Sequence, residues 1–256
     1  MNIELTGKRV FISAGAAGIG RSTALAMHKL GAQVQVCDID QAALDSLPAG
    51  ITRYVCDVTN ESDVIDTMNK VTEGGINVLI NNAGVSGTTK PIEDITGDEW
   101  RHCISGSLSA PFYFTRAVVP IFKKQASGVI INLISAGGVL GYPNRTPYAA
   151  AKWGVTGLVK TLAMELGPHN IRVNGIVPGN VSGDRFDRVV TAHAQAEGIT
   201  EAEVHRIYLS GTSMQCYVDP QEVADMICFL CSDHSRHVSG QVIAIDGNTE
   251  TLYPRL

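Results

Sequence analysis

Charge is scarce in this sequence. Only 18% of its 256 residues are Asp, Glu, Lys or Arg, and their balance is −5. A phosphate backbone is bound through a basic face, so no nucleic-acid partner is expected. Low charge beside 45% hydrophobic residues excludes a disordered chain and predicts a compact one. Long apolar runs are also missing. None approaches the roughly 18 residues of a membrane span, so no membrane partner is expected. The opening MNIELTGKRV lacks the apolar stretch of a signal peptide. A soluble, cytoplasmic protein is therefore expected. Cysteine is thin: Cys37, Cys56, Cys103, Cys216, Cys228 and Cys231 are scattered, unlike the dense cysteine of a disulfide scaffold. Cys228 and Cys231 form a CxxC, but no second Cys or His pair follows at zinc spacing. Two buried residues one helical turn apart are expected instead, and no metal site. Glycine is plentiful, 26 residues, without the three-residue period of collagen.

Apolar strands alternate with helical patterns. Lys8–Ser13, Gln33–Asp38, Ile51–Cys56, Asn77–Asn81, Gly128–Ser135, Ile171–Val177 and Gln241–Ile245 read as strands. Helices are expected over Ile19–Leu30, Ile39–Leu47, Glu61–Thr72, Asp98–Lys124, Tyr148–Leu166 and Pro220–Cys231, with Gly106 and Pro111 as candidate breaks in the fourth. Such alternation predicts an α/β fold: a doubly wound, Rossmann-like parallel sheet of about seven strands with helices on both faces. No linker or repeat divides the chain, so 1–256 is expected to form one domain. The least regular stretch, Gly179–Asp219, carries helical fragments such as Thr200–Tyr208. It leaves the carboxyl end of the sixth strand, where ligands sit in open α/β sheets, and is expected to cover a substrate.

The first strand-to-helix turn reads Ser13-Ala14-Gly15-Ala16-Ala17-Gly18-Ile19-Gly20. Glycines there let a pyrophosphate approach the free N–H groups of a helix N-terminus. Asp38 ends the second strand. Its carboxylate would accept from ribose hydroxyls and repel a 2′-phosphate, favouring NAD over NADP; the alternative is a cap on the next helix. No Arg or Lys sits near Asp38 to reverse the preference; Arg21, the nearest basic candidate, is at the far side of the turn. Tyr148 and Lys152, four apart, share one helical face. An ammonium beside a phenol favours the phenolate. The alternative is a surface pair. Ser135, at the end of the fifth strand, would hold a carbonyl oxygen while Tyr148 donates a proton.

In this order the motifs resemble those of the short-chain dehydrogenase/reductase family over nearly the whole chain. The likeness rests on the glycine turn, Asp38, Cys56-Asp57-Val58, Asn81-Asn82-Ala83-Gly84, Ser135, Tyr148-Ala149-Ala150-Ala151-Lys152, Pro178-Gly179, Ser239-Gly240-Gln241 and Asp246-Gly247. The resemblance implies reversible hydride transfer between NAD(H) and an alcohol/carbonyl pair in a small molecule. Tyr148 would be the acid/base, Lys152 would bind the nicotinamide ribose and tune Tyr148, and Ser135 would position the substrate oxygen. Gly15, Gly18, Ile19, Gly20 and Asp38 would hold the cofactor, and Asp57 and Val58 would flank the adenine. Asn82, Ala83 and Gly84 would line its central part, and Pro178, Gly179 and Val181 would pack on the nicotinamide. A homotetramer is implied, built on the two long helices.

Four positions depart from the family pattern. Ser13-Ala14 replaces Thr-Gly, which suggests a slightly displaced turn. Ser107 stands where an Asn often supports a proton-relay water. Gly183 replaces a Thr that meets the carboxamide. Ile134 replaces a second serine. Arg145, three residues before Tyr148, either binds an anionic group of the substrate or pairs with Asp184 or Asp187. Arg185, Arg188, His193, His205 and Arg206 are expected to be solvated. The leading reading is an NAD-dependent dehydrogenase of a small polar alcohol. The alternatives are a 3-oxoacyl-type reductase and a non-catalytic NAD-binding sensor.

Overall fold

A computed structural model describes residues 2–252; Met1 and residues 253–256 of the expected domain lie outside the described residues. Seven parallel strands form one sheet: β1 (Arg9–Ser13), β2 (Gln33–Asp38), β3 (Thr52–Val55), β4 (Val78–Asn81), β5 (Gly128–Leu133), β6 (Ile171–Pro178) and β7 (Val242–Ile245). Their order is β3-β2-β1-β4-β5-β6-β7, with every neighbouring pair parallel. Chain direction across the sheet reverses between β1 and β4, which opens a crevice at the strands' carboxyl ends.

The apolar runs are continuous because both faces are covered. Val10 and Ile12 of β1, Val78 and Ile80 of β4 and Ile131 of β5 join one core. It packs against α1 (Gly18–Lys29) and α9 (Pro220–Cys231). Their neighbours Phe11, Leu79 and Ile130 join the other core, under α3 (Glu61–Thr72) and α5 (Ala110–Gln125). There the Phe11 and Phe114 ring centroids lie 5.4 Å apart. Cys228 and Cys231 are free thiols on the buried face of α9. The short α2 (Gln41–Asp45) is capped by Asp40, whose carboxylate accepts from the Ala43 N–H.

The fourth helical stretch is unbroken. α4 (Gly97–Ile104) runs into α5 through a single wide turn with π geometry at Ser105–Ser109. Gly106 sits inside that turn, and Pro111, which has no N–H to donate, follows directly after it at the second position of α5. α6 (Thr146–Leu166) starts two residues before Tyr148. The 179–219 stretch is more ordered than its sequence suggested. It holds α7 (Asp184–Glu197) and α8 (Glu201–Ser210), which enclose a small core of Val190, Ala194, Val204 and Tyr208. No helix among the described residues is long and apolar enough to cross a membrane.

Candidate active site

The glycine turn closes tightly on β2 and β4. A Cβ on Gly15 would fall 2.6 Å from the Val36 Cβ, and one on Gly20 would fall 2.2 Å from the Ala14 carbonyl oxygen. The Gly15 N–H donates to the Cys37 carbonyl at 2.9 Å. Ala14 itself takes φ +51°, and its carbonyl accepts from the Asn82 side chain at 2.8 Å. The turn therefore keeps its left-handed step without a glycine at that position. Ala17, at the N-cap of α1, offers no side-chain cap, and the first turn carries no acid. Its N–H groups face outward with the helix dipole, as an anion such as a pyrophosphate requires.

Asp38 stands beside this turn. Its Oδ2 accepts from the Ala16 N–H at 3.1 Å and its Oδ1 from the Asp40 N–H at 3.3 Å. Asp40, not Asp38, caps α2. The Arg21 guanidinium is turned away from Asp38 and donates to the Ser46 hydroxyl at 2.9 Å. Asp57 accepts from the Thr59 N–H and hydroxyl, which fixes the loop after β3 with Val58 inside it. The Asn82 and Ala83 N–H groups both donate to the Ser13 hydroxyl, tying the β4 exit to the glycine turn. Gly179, just past Pro178, leaves room for Asp246: a Cβ there would lie 2.7 Å from its Cα. Val181 bridges to Val218. These residues make an open cradle along the strands' carboxyl ends, and its bare backbone fits a dinucleotide.

At the inner end of the cradle, α6 presents Tyr148 and Lys152. Both are buried, Lys152 to 3% exposure, so they are not a surface pair. The Lys152 ammonium donates to the Leu133 carbonyl at 2.8 Å and lies 5.8 Å from the Tyr148 ring centroid. Burial alone would raise the Tyr148 phenol. Lys152, Arg185, the Ser135 hydroxyl and Arg145 outweigh it and hold the phenol below its ordinary value. Burial, opposed by Tyr148, also lowers Lys152. The Ser135 hydroxyl accepts from the Gly137 N–H at 3.2 Å. A Cβ on Gly84 would meet the Lys152 ammonium at 3.3 Å.

The departures have physical consequences. Ser107, in the π turn, is fully buried. Its hydroxyl accepts from the Val85 N–H at 3.0 Å and donates to the Val85 carbonyl at 2.9 Å. Gly183 has φ +120° and ψ 175°, a conformation essentially restricted to glycine, so a Thr would not fit this backbone. Ile134 packs with Val155, Val159 and Val177.

A cavity of about 350 Å³ opens beside Tyr148 and is lined by Gly84, Ser86, Thr89, Arg145, Arg185 and Arg188, among others. Arg145 is 6% exposed. It donates to the Ser86 carbonyl at 2.6 Å, and its guanidinium carbon lies 5.1 Å from both the Tyr142 and Tyr148 ring centroids. Among the described residues it makes no ion pair with Asp184 or Asp187. Arg185 and Arg188 are exposed, as expected, and they also line the mouth of the cavity; Arg185 donates to the Gly84 carbonyl at 3.2 Å. The signal for them was their spacing of three on one helix. His193 and His205 brace the α7–α8 pair through the Tyr208 and Tyr217 hydroxyls, at 3.2 and 2.7 Å. Arg206 pairs with Glu203 at 3.8 Å.

Comparison with known proteins agrees with this architecture. A family model described as enoyl-(acyl carrier protein) reductase matches residues 14–248. The chain is 37% identical to the 3-oxoacyl-[acyl-carrier-protein] reductase FabG of Thermotoga maritima, over 96% of this chain and 98% of that one. It is also 37% identical to trans-4-hydroxycyclohexanecarboxylate dehydrogenase of Sinomonas cyclohexanicum, over 94% and 92%. The fold resembles that of NAD⁺-bound xylitol dehydrogenase, with a TM-score of 0.90, 30% identity, and coverage of 95% of this chain and 99% of that one. The chain belongs to the short-chain dehydrogenase/reductase family and is an oxidoreductase of CH–OH groups.

Proposed function

We propose that the protein transfers a hydride between NAD(H) and a small polar, anionic secondary alcohol or its ketone. The buried Tyr148–Lys152 pair behind Ser135 carries this reading, since a sensor that only binds a nucleotide has no use for a lowered phenol. NAD, when bound, supplies the hydride acceptor. The Gly15–Gly20 turn would bind its pyrophosphate, and Asp38 its adenosine ribose. Asp57 and Val58 would flank the adenine, Asn82 to Gly84 the central part, and Pro178, Gly179 and Val181 the nicotinamide. Asp38, with Arg21 engaged elsewhere, supports NAD over NADP.

In oxidation, the Ser135 hydroxyl orients the substrate oxygen, and the Tyr148 phenolate takes its proton as the C–H bond breaks. The alcohol loses a hydride and a proton and becomes a ketone. In reduction, Tyr148 returns the proton to the carbonyl oxygen. Lys152 holds the nicotinamide ribose and keeps the phenol acidic. Arg145, buried and without a carboxylate partner, supports an anionic group on the substrate. A homotetramer through α4, α5 and α6 completes the proposal, with a cytoplasmic location.

The test is NADH formation at 340 nm over a panel of alcohols and hydroxy acids, with NAD and NADP in parallel. Turnover with NAD is expected to fall ~10²–10⁴-fold or more in Tyr148→Phe. Equal rates in that variant would overturn the assignment. The 3-oxoacyl-type alternative is favoured by the FabG relative. Reduction of an acyl thioester ketone ahead of every small substrate would select it.

A further inference from the structure

Three arginines surround the cavity beside Tyr148, and no Asp or Glu lines it. Among the described residues, none of the ion pairs involves Arg145, Arg185 or Arg188. Arg145 is the most telling of them. It is more than nine-tenths buried, and its Nε has no hydrogen-bond partner. The partner that it has is a neutral carbonyl, that of Ser86. A buried guanidinium without a counter-charge is costly to maintain, and an incoming anion relieves that cost.

We infer that the substrate is a small hydroxy carboxylate, and that its carboxylate is gripped jointly by Arg145 from the body of the protein and by Arg185 and Arg188 from α7. This rests on the dehydrogenase reading above. Distance fixes the anion's place in the substrate. The Arg145 guanidinium lies over the ring of Tyr148, so a carboxylate paired with it stands within a few bonds of the carbon that the phenol serves. Planar, two-pronged carboxylates match the guanidinium fork. The cavity, about 350 Å³, has room for a compact acid.

α7 carries the two outer arginines of the grip. Arg185 and Arg188 are three residues apart and share one face of the helix. Glycines with positive φ bound it at both ends, Gly183 at +120° and Gly198 at +66°, and neither would be crowded by a Cβ. Arg185 meanwhile holds the neutral Gly84 carbonyl. A carboxylate offers both lid arginines a stronger, charge-assisted partner, so the anion draws α7 onto the site. The hydroxy acid becomes a keto acid, the hydride leaving the carbinol carbon and the proton leaving its hydroxyl. The carboxylate is unchanged.

The test compares 2- and 3-hydroxy acids of three to six carbons with their amides, by turnover with NAD. At least one acid is expected to exceed its amide ~100-fold in kcat/KM. The preference should shrink at least ~10-fold in Arg188→Gln and partly recover in Arg188→Lys. Calorimetric titration of the same acids and amides into the wild-type protein, with and without NADH, reads binding independently of turnover. Equal affinity for acid and amide overturns the anion grip, and turnover of neutral alcohols would then leave the dehydrogenase reading intact. Acid binding that depends on Arg188, with no turnover of any compound, supports the grip and removes the dehydrogenase reading.

Discussion

Tyr148 is pushed in two directions. Burial resists the phenolate, while Lys152, Arg185 and Arg145 favour it and prevail. In the proposed mechanism oxidation uses the phenolate as a base, so its rate should rise with pH through a midpoint below that of free tyrosine. Reduction uses the phenol and should fall over the same interval. Arg185→Gln removes a cation, which raises the phenol, and the midpoint should move to higher pH in kcat profiles. A midpoint that stays put would mean that Arg185 does not act on the phenol. Ala14 gives a separate test. A non-glycine residue at φ +51° carries a backbone cost of roughly 1–2 kcal/mol. Ala14→Gly relieves it, less the extra freedom that glycine gains when unfolded. A net gain of about 1 kcal/mol, or ~2–4 °C in Tm by calorimetry, is expected.

At the scale of elements, what is local was legible and what depends on distant packing was not. The strand, glycine turn and helix around residues 9–29 follow each other directly, so their pattern announces them. Tyr148 and Lys152 were readable because a helix fixes residues four apart on one face. α7 was not anticipated, although Phe186, Val189, Val190 and Ala194 have helical spacing. They pack on α8 and Tyr217 rather than on the sheet, so their apolar stripe is short. Arg185 and Arg188 are exposed, as read, but their place at the cavity was not legible, because its other walls come from loops far away in sequence. The π turn at Ser105–Ser109 was marked only by Gly106, whose absent Cβ makes room for Val85 at what would be 2.4 Å. Gly183→Ala tests the hinge of α7. Strain of ~1–3 kcal/mol is expected, with a raised KM, because the backbone there has a conformation alanine avoids. An unchanged KM would show that the entry to α7 is not critical to substrate capture.

The whole molecule leaves one helical face uncovered. Trp153, Gly157 and Met164 lie along a single stripe of α6, with Trp153 49% and Met164 82% exposed. A Cβ on Gly157 would meet nothing within 4 Å. Phe112 and Trp100 of the neighbouring helices are exposed as well. A symmetry-related α6 would cover this stripe. If the proposed tetramer forms, Met164→Asp is expected to shift its light-scattering mass toward smaller species, and an unchanged mass would place the interface elsewhere. Proton traffic follows from another feature of the whole. Each alcohol oxidised releases one proton to the medium. Ser107 has closed its hydroxyl onto both backbone groups of Val85, so it has no proton free to pass inward. Tyr148 is then expected to discharge toward the arginine-lined mouth proposed for the substrate. Turnover should then quicken with the concentration of a small buffer base at fixed pH, the sign of one door for protons and substrate; a rate indifferent to buffer would place the proton's exit elsewhere.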